Sequence, residues 1–75
     1  PMHPESHNNL GVAYYGRGRV DDSIAHLRTA ISVKPDYAEA HLNLGIAYGD
    51  KGWLAEAQEE MSIGMRLQAS AKRGP

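Results

Sequence analysis

Four histidines, at positions 3, 7, 26 and 41, are the residues of this chain best suited to metal or proton chemistry. His3 and His7 stand four apart, a spacing that sets two imidazoles on one helix face, where they could hold a metal ion. Pro4 between them suits the first position of a helix, which leaves His3 outside it. No third ligand is spaced to join them. Asp22, Ser23 and His26 carry the three groups of a nucleophilic triad, but all three crowd onto one helix. A triad needs its base to converge on the nucleophile from elsewhere. Gly16-Arg17-Gly18 lacks the third glycine and the preceding strand of a phosphate loop and reads as a turn. The chain has no cysteine, so thiolate ligands, disulfides and a cysteine nucleophile are excluded. No catalytic residue, metal or cofactor is expected.

The elements that would position these side chains are written twice. His7-Asn-Asn-Leu-Gly-Val-Ala-Tyr14 returns as His41-Leu-Asn-Leu-Gly-Ile-Ala-Tyr48, 34 positions later. Between Glu5 and Gly18, eight positions are identical at that offset: 5, 7, 9, 10, 11, 13, 14 and 18. Beyond Gly18 only character persists, with Val20 matching Leu54, Leu27 matching Met61 and Ile31 matching Met65. Self-similarity at this period points to stacked supersecondary units. Each unit reads as two helices. Leu10, Ala13, Tyr14 and Arg17 follow the spacing of one helix face, and Gly18 suits a left-handed helix end. Asp21 can cap a second helix carrying Val20, Ile24, Leu27 and Ile31, which Pro35 ends. Asp36 can cap a third, with Leu44, Ala47 and Tyr48 on its stripe. A fourth carries Leu54, Ala57, Met61, Gly64 and Met65. Glycine inside a helix costs roughly 1 kcal/mol against alanine. Gly11 and Gly45 repeat that cost, which implies a close helix neighbour at both.

At 75 residues the chain makes one domain with a marginal core. The formal net charge of −1 gives no basic excess for nucleic acid or an anionic membrane surface. No apolar run is long enough to span a membrane, and no signal peptide is visible. The compartment stays open, the cytoplasm being the default expectation.

The pattern resembles the tetratricopeptide (TPR) repeat, whose helix–turn–helix unit reads W-x2-L-G-x2-Y, then A-x3-F, then P over 34 residues. Here His7-x2-Leu10-Gly11-x2-Tyr14, Ser23-x3-Leu27 and Pro35 fill the first copy. His41-x2-Leu44-Gly45-x2-Tyr48 and Ala57-x3-Met61 fill the second, with Ala69 in place of the proline. The resemblance implies an all-α fold of antiparallel helix pairs stacked as a right-handed superhelix. Repeat one would cover residues 4–37, repeat two 38–71, and a tail 72–75. The missing second proline suggests a last helix that runs on through Ala71.

Proteins with this repeat are mostly protein-binding scaffolds whose first helices line a concave groove for an extended peptide or a partner helix. By that resemblance the groove would hold Glu5, Asn8, Asn9, Val12 and Tyr15 from repeat one. Repeat two would add Glu39, Leu42, Asn43, Ile46 and Asp50. Asn9 and Asn43, one period apart, could hold a peptide backbone through their amides. Such a ladder is similar to that of the repeat domain of O-linked N-acetylglucosamine transferases. The other reading is that these amides serve packing or solvation. No Lys or Arg stands on this face, so a carboxylate clamp is disfavoured and a neutral-to-basic peptide is expected.

Repeat arrays usually need at least three units and a capped end. With Met61 at zero and 100° per residue, Leu54, Ala57, Gly64 and Met65 fall within about 60° of it. Ile63 and Leu67 fall nearly opposite, where a following repeat would stand. An exposed apolar strip there marks an interface. Three things could cover it: further repeats of a longer chain, the tail, or a second copy. Self-association through Ile63 and Leu67, with Trp53 as an anchor or as turn packing, is the expectation, a dimer being favoured.

Overall fold

The structure, a computed structural model, describes residues 3–72. Four helices follow one another: α1 Pro4–Gly16, α2 Val20–Val33, α3 Ala38–Asp50 and α4 Leu54–Lys72. No strand occurs among the described residues. α1 pairs with α2, α3 with α4, and α2 packs on α3 to join the pairs. Of the expected tail, Lys72 ends α4; Arg73, Gly74 and Pro75 lie outside the described residues.

Local chemistry explains the ends. Pro4 opens α1, where its missing N–H costs nothing. The α1–α2 and α3–α4 turns are the same motif built twice. Gly18 and Gly52 both take φ 78°, the left-handed region that favours glycine. The Gly18 N–H donates to the Tyr15 carbonyl at 3.0 Å and the Arg19 N–H to the Tyr14 carbonyl at 2.9 Å. Gly52 and Trp53 donate to Gly49 and Tyr48 in the same way, both at 3.0 Å. This is a Schellman closure of the freed carbonyls at each helix end. It leads straight into the next helix, so Arg19, not Asp21, is the N-cap of α2. Asp21 and Asp22 fall in the first turn, where their charge complements the helix dipole. Likewise Tyr37, not Asp36, caps α3. Ala69 lacks the restriction that Pro35 imposes, and α4 runs on past it.

The core sits at the junction between the two pairs. Ile24, Leu27, Leu44, Ala47, Tyr48 and Ala57 form one buried cluster, with Tyr15, Val20 and Ile31 packed around it. Burying a side chain such as Leu27 contributes about 1.5–3 kcal/mol. Within each pair the helices approach at the helical glycines. A Cβ on Gly11 would stand 2.6 Å from Leu27 Cγ, and one on Gly45 would stand 2.7 Å from Met61 Cγ. Gly64 returns the contact from α4, where a Cβ would meet Leu42 Cδ2 at 2.6 Å.

That last contact corrects the reading of α4. Gly64 faces α3, and so does Glu60, whose carboxylate meets His41. Ile63 and Leu67 share that side of the helix and are half-buried. The open side is the other half of the presumed core stripe: Leu54 is 65% exposed and Met65 56% exposed. α3 packs over Gly64 and Glu60, which leaves Leu54 and Met65 open.

Candidate functional site

α1 and α3 lie side by side, and a cleft runs between them with α2 as its floor. Val12 and Tyr15 line it from α1, Asn43 and Ile46 from α3, and Ser23 and Leu27 from α2. Its volume is about 70 Å³. Pockets for drug-sized ligands span roughly 300–1,000 Å³. The cleft therefore admits one side chain of a longer ligand rather than a metabolite. Val12 and Ile46 stand exposed at its rim, offering apolar surface to whatever lies over them.

Of the ten expected groove residues, Val12, Tyr15, Asn43 and Ile46 come together at the cleft. Glu5, Asn9, Glu39 and Asp50 are solvent-exposed. Asn8 and Leu42 do not belong there. Asn8 is fully buried between α1 and α3; its amide donates to Glu39 Oε2 at 2.9 Å and its carbonyl accepts from Asn43 Nδ2 at 3.1 Å. Leu42 leans the other way, onto Gly64 of α4. In the expected ladder, Asn43 thus spends an N–H on Asn8, whereas Asn9 faces solvent.

The face is acidic, and two tyrosines register it. Tyr15 is raised from its ordinary pKa of 10.0, first by its hydrogen bond to Asp50, then by burial and by the Asp50 charge. Tyr37 is raised first by burial, then by the charges of Glu39 and Glu5, against a lowering hydrogen bond from Asn8. The raising effects disfavour a phenolate on this face. A ligand carrying positive charge would meet the opposite sign here.

The histidines take structural posts. His41 is buried; its Nε2 meets the Pro35 carbonyl at 2.8 Å and its Nδ1 meets Glu60 Oε1 at 2.7 Å. A carbonyl only accepts, so Nε2 carries a hydrogen. His7 and His26 approach through their Nδ1 atoms at 3.2 Å with stacked rings, and Tyr14 stacks on His26. His3 precedes α1 as its exposed N-cap. Among the described residues no group of three His, Cys, Asp or Glu could hold a metal ion. Asp22 is engaged by Arg19 at 2.8 Å and His26 by His7, while the Ser23 Oγ is buried without a partner. Trp53 is partly exposed, its ring tilted against Tyr48 at 5.5 Å with the Lys51 ammonium 5.7 Å away.

A second open surface escaped the sequence reading. Leu54, Ala57, Met61 and Met65 on α4 line a broad apolar depression with Gly45 at its edge. The signal was present: Leu54, Met61 and Met65 occupy the places of Val20, Leu27 and Ile31, which α3 covers. No described helix is long and apolar enough to cross a membrane.

A family profile for the TPR repeat matches residues 13–52, more than half of the chain. The chain belongs to the TPR-repeat family. The matched stretch holds the α2–α3 junction where the core lies, so the TPR assignment and the packing rest on the same residues. The crystal structure of MamA is similar to this TPR chain with a TM-score of 0.89 and 25% identity, over 96% of this chain. The chain spans 42% of the MamA chain. No curated protein matches this TPR chain. TPR proteins are typically non-catalytic scaffolds, and the TPR fold of this chain supports a module for protein–protein interaction in general.

Proposed function

We propose that the chain binds an extended, neutral-to-basic segment of a partner protein along the face shared by α1 and α3. The observation that carries this reading is the cleft between Val12, Tyr15, Asn43 and Ile46, sized for one apolar side chain. Acidic side chains at Glu5, Glu39 and Asp50 favour positively charged neighbours of that side chain. Asn9, exposed one turn from the cleft, is free to meet a peptide backbone, and Asn43 keeps a second N–H for the same purpose.

The test is a panel of fluorescent twelve-residue peptides that alternate apolar residues with lysine, glutamate or serine. Lysine-bearing members bind best, and Ile46→Glu weakens them by more than tenfold. Gln68→Glu, on the exposed far end of α4, leaves them unchanged. Equal binding by Ile46→Glu and the parent chain sinks the groove.

A second reading has its own support. The apolar depression on α4, with Leu54 65% and Met65 56% exposed, is large surface for so small a domain to leave to water. It fits a self-association module, in which the open side of α4 and Trp53, rather than Ile63 and Leu67, meet another copy.

A further inference from the structure

The two repeats are each other's control. Positions 34 apart carry the same or similar residues, so any difference in their burial measures what an adjoining repeat covers. Leu44 is 3% exposed and its equivalent Leu10 42%. Ala47 and Tyr48 are buried, whereas Ala13 is exposed and Tyr14 half-buried. The α1 residues Leu10, Ala13, Tyr14 and Arg17 line an open hollow of their own. On the second helices the difference runs the other way. Ile24 and Leu27 are buried and Val20 and Ile31 half-buried, whereas Gln58, Leu54 and Met65 are exposed and Met61 half-buried. The α2–α3 junction buries one copy of each surface. The chain carries a second, uncovered copy of each: one on α1, one on α4.

We propose that these two surfaces fit one another, so that α1 of one copy seats on α4 of the next in the way α3 seats on α2. This rests on the self-association reading and adds its geometry. The occupant is written into the sequence. The three α3 residues in the buried cluster, Leu44, Ala47 and Tyr48, recur unchanged on α1 as Leu10, Ala13 and Tyr14. The receiving side keeps its apolar character at three of four places, as Leu54, Met61 and Met65. The polar pairs at the rim of the junction have partial counterparts. Lys51 Nζ meets Asp21 Oδ1 at 2.9 Å within the chain; Arg17 stands in the lysine's place, and Glu56 adjoins Ala55 in the aspartate's place. Arg28 donates to the Tyr48 hydroxyl at 2.8 Å, where Ser62 and Tyr14 would stand between copies.

The surfaces are unlike, so the contact is heterologous. Each added copy presents a fresh α4 at one end and a fresh α1 at the other, and growth does not stop at two. This replaces the expected dimer with an open array.

The experiment is light scattering behind size exclusion on the 75-residue chain, with two variants, Leu10→Glu and Met65→Glu. Both sites are exposed in the isolated chain, so both variants fold, as their helical circular dichroism checks; Ala13→Arg serves as a second block of the α1 surface. The parent chain gains mass with concentration beyond two chains. Each variant alone is monomeric, since each has lost one of the two unlike surfaces. Mixed in equal amounts they form a complex of two chains, joined through the α4 of Leu10→Glu and the α1 of Met65→Glu. A dimer formed by Leu10→Glu alone overturns the head-to-tail geometry but leaves self-association standing. A parent chain that stays monomeric at every concentration overturns both and leaves these faces to adjoining repeats or to another protein.

Discussion

Leu27 and Gly11 touch so closely that a Cβ on Gly11 would stand 2.6 Å from Leu27 Cγ and 3.3 Å from the Ser23 carbonyl. The same contact recurs 34 residues on, where a Cβ on Gly45 would meet Met61 Cγ at 2.7 Å and the Ala57 carbonyl at 3.1 Å. The difference lies in the freedom of the neighbour. Leu27 is 1% exposed and packed into the core with only the narrow 70 Å³ cleft beside it, whereas Met61 borders the broad open depression on α4 and can swing into it. Helix propensity gains roughly 1 kcal/mol at either site on going to alanine, and overpacking costs about 1–3 kcal/mol. Gly11→Ala is therefore destabilising, and Gly45→Ala is the milder of the two. Urea midpoints decide it; equal losses, or a stabilised Gly11→Ala, contradict the packing argument.

Asn8 holds α1 to α3 through Glu39 on one side and Asn43 on the other, and no solvent reaches it. Asn8→Ala strands Asn43's donor and costs about 1–3 kcal/mol. Asn8→Asp keeps the shape but sets a second acceptor against the Glu39 carboxylate, so it is worse than alanine near neutral pH. Acidification below the ordinary carboxylate range, about pH 4, returns a donor to that pair and narrows the gap. Thermal melts of both variants against pH show this; a gap that does not shrink on acidification places the strain elsewhere.

These two sites also mark what could be seen in the sequence. Gly11 and Gly45 were legible as close approaches because a costly residue recurred at one period. The turns at Gly18 and Gly52 were legible for the same reason. Asn8 was not. Its repeat equivalent is Leu42, so no recurrence flagged it, and its partner Glu39 lies 31 residues away on another helix. Polarity suggested solvent where the fold supplied hydrogen bonds. The facing of α4 was hidden differently. Apolar residues surround much of that helix, and periodicity fixes angles between residues but not which of them meets α3. Comparing Leu54, Met61 and Met65 with Val20, Leu27 and Ile31 would have resolved it, since the first repeat already shows which side a neighbour covers.

Tyr15 borders the cleft with Asp50 beside its hydroxyl, and the hydrogen bond, burial and the charge of that carboxylate all raise its pKa above 10.0. Asp50→Asn removes the charge and brings the Tyr15 titration back toward the ordinary value. The sign for stability follows from linkage. A tyrosine whose folded pKa is raised keeps its proton more tightly in the fold, so its contribution is fully present below pH 10 and is lost as pH rises through the folded value. The Asp50→Asn chain therefore loses less stability than the parent as pH rises above 10. Tyr15 ring resonances followed by NMR, together with melts over that window, test both halves. An unshifted Tyr15 titration in Asp50→Asn removes Asp50 as the cause.

Ser23 stands where the repeat pattern has alanine, on the floor of the cleft, with its Oγ buried and without a partner. A buried hydroxyl that makes no hydrogen bond costs about 1–3 kcal/mol of lost hydration. Removing it leaves a void of one oxygen atom, smaller than a methyl group, beside Leu27 and Gly11. The void term is correspondingly less than the roughly 1 kcal/mol of a lost methylene. The hydration term wins, and Ser23→Ala stabilises the chain by about 0.5–1.5 kcal/mol, the better helix propensity of alanine adding to the gain at the floor of the cleft. Equilibrium unfolding in urea measures the gain. A destabilised Ser23→Ala means that the hydroxyl has found a partner, and a water seated in the 70 Å³ cleft above it is then the first to look for.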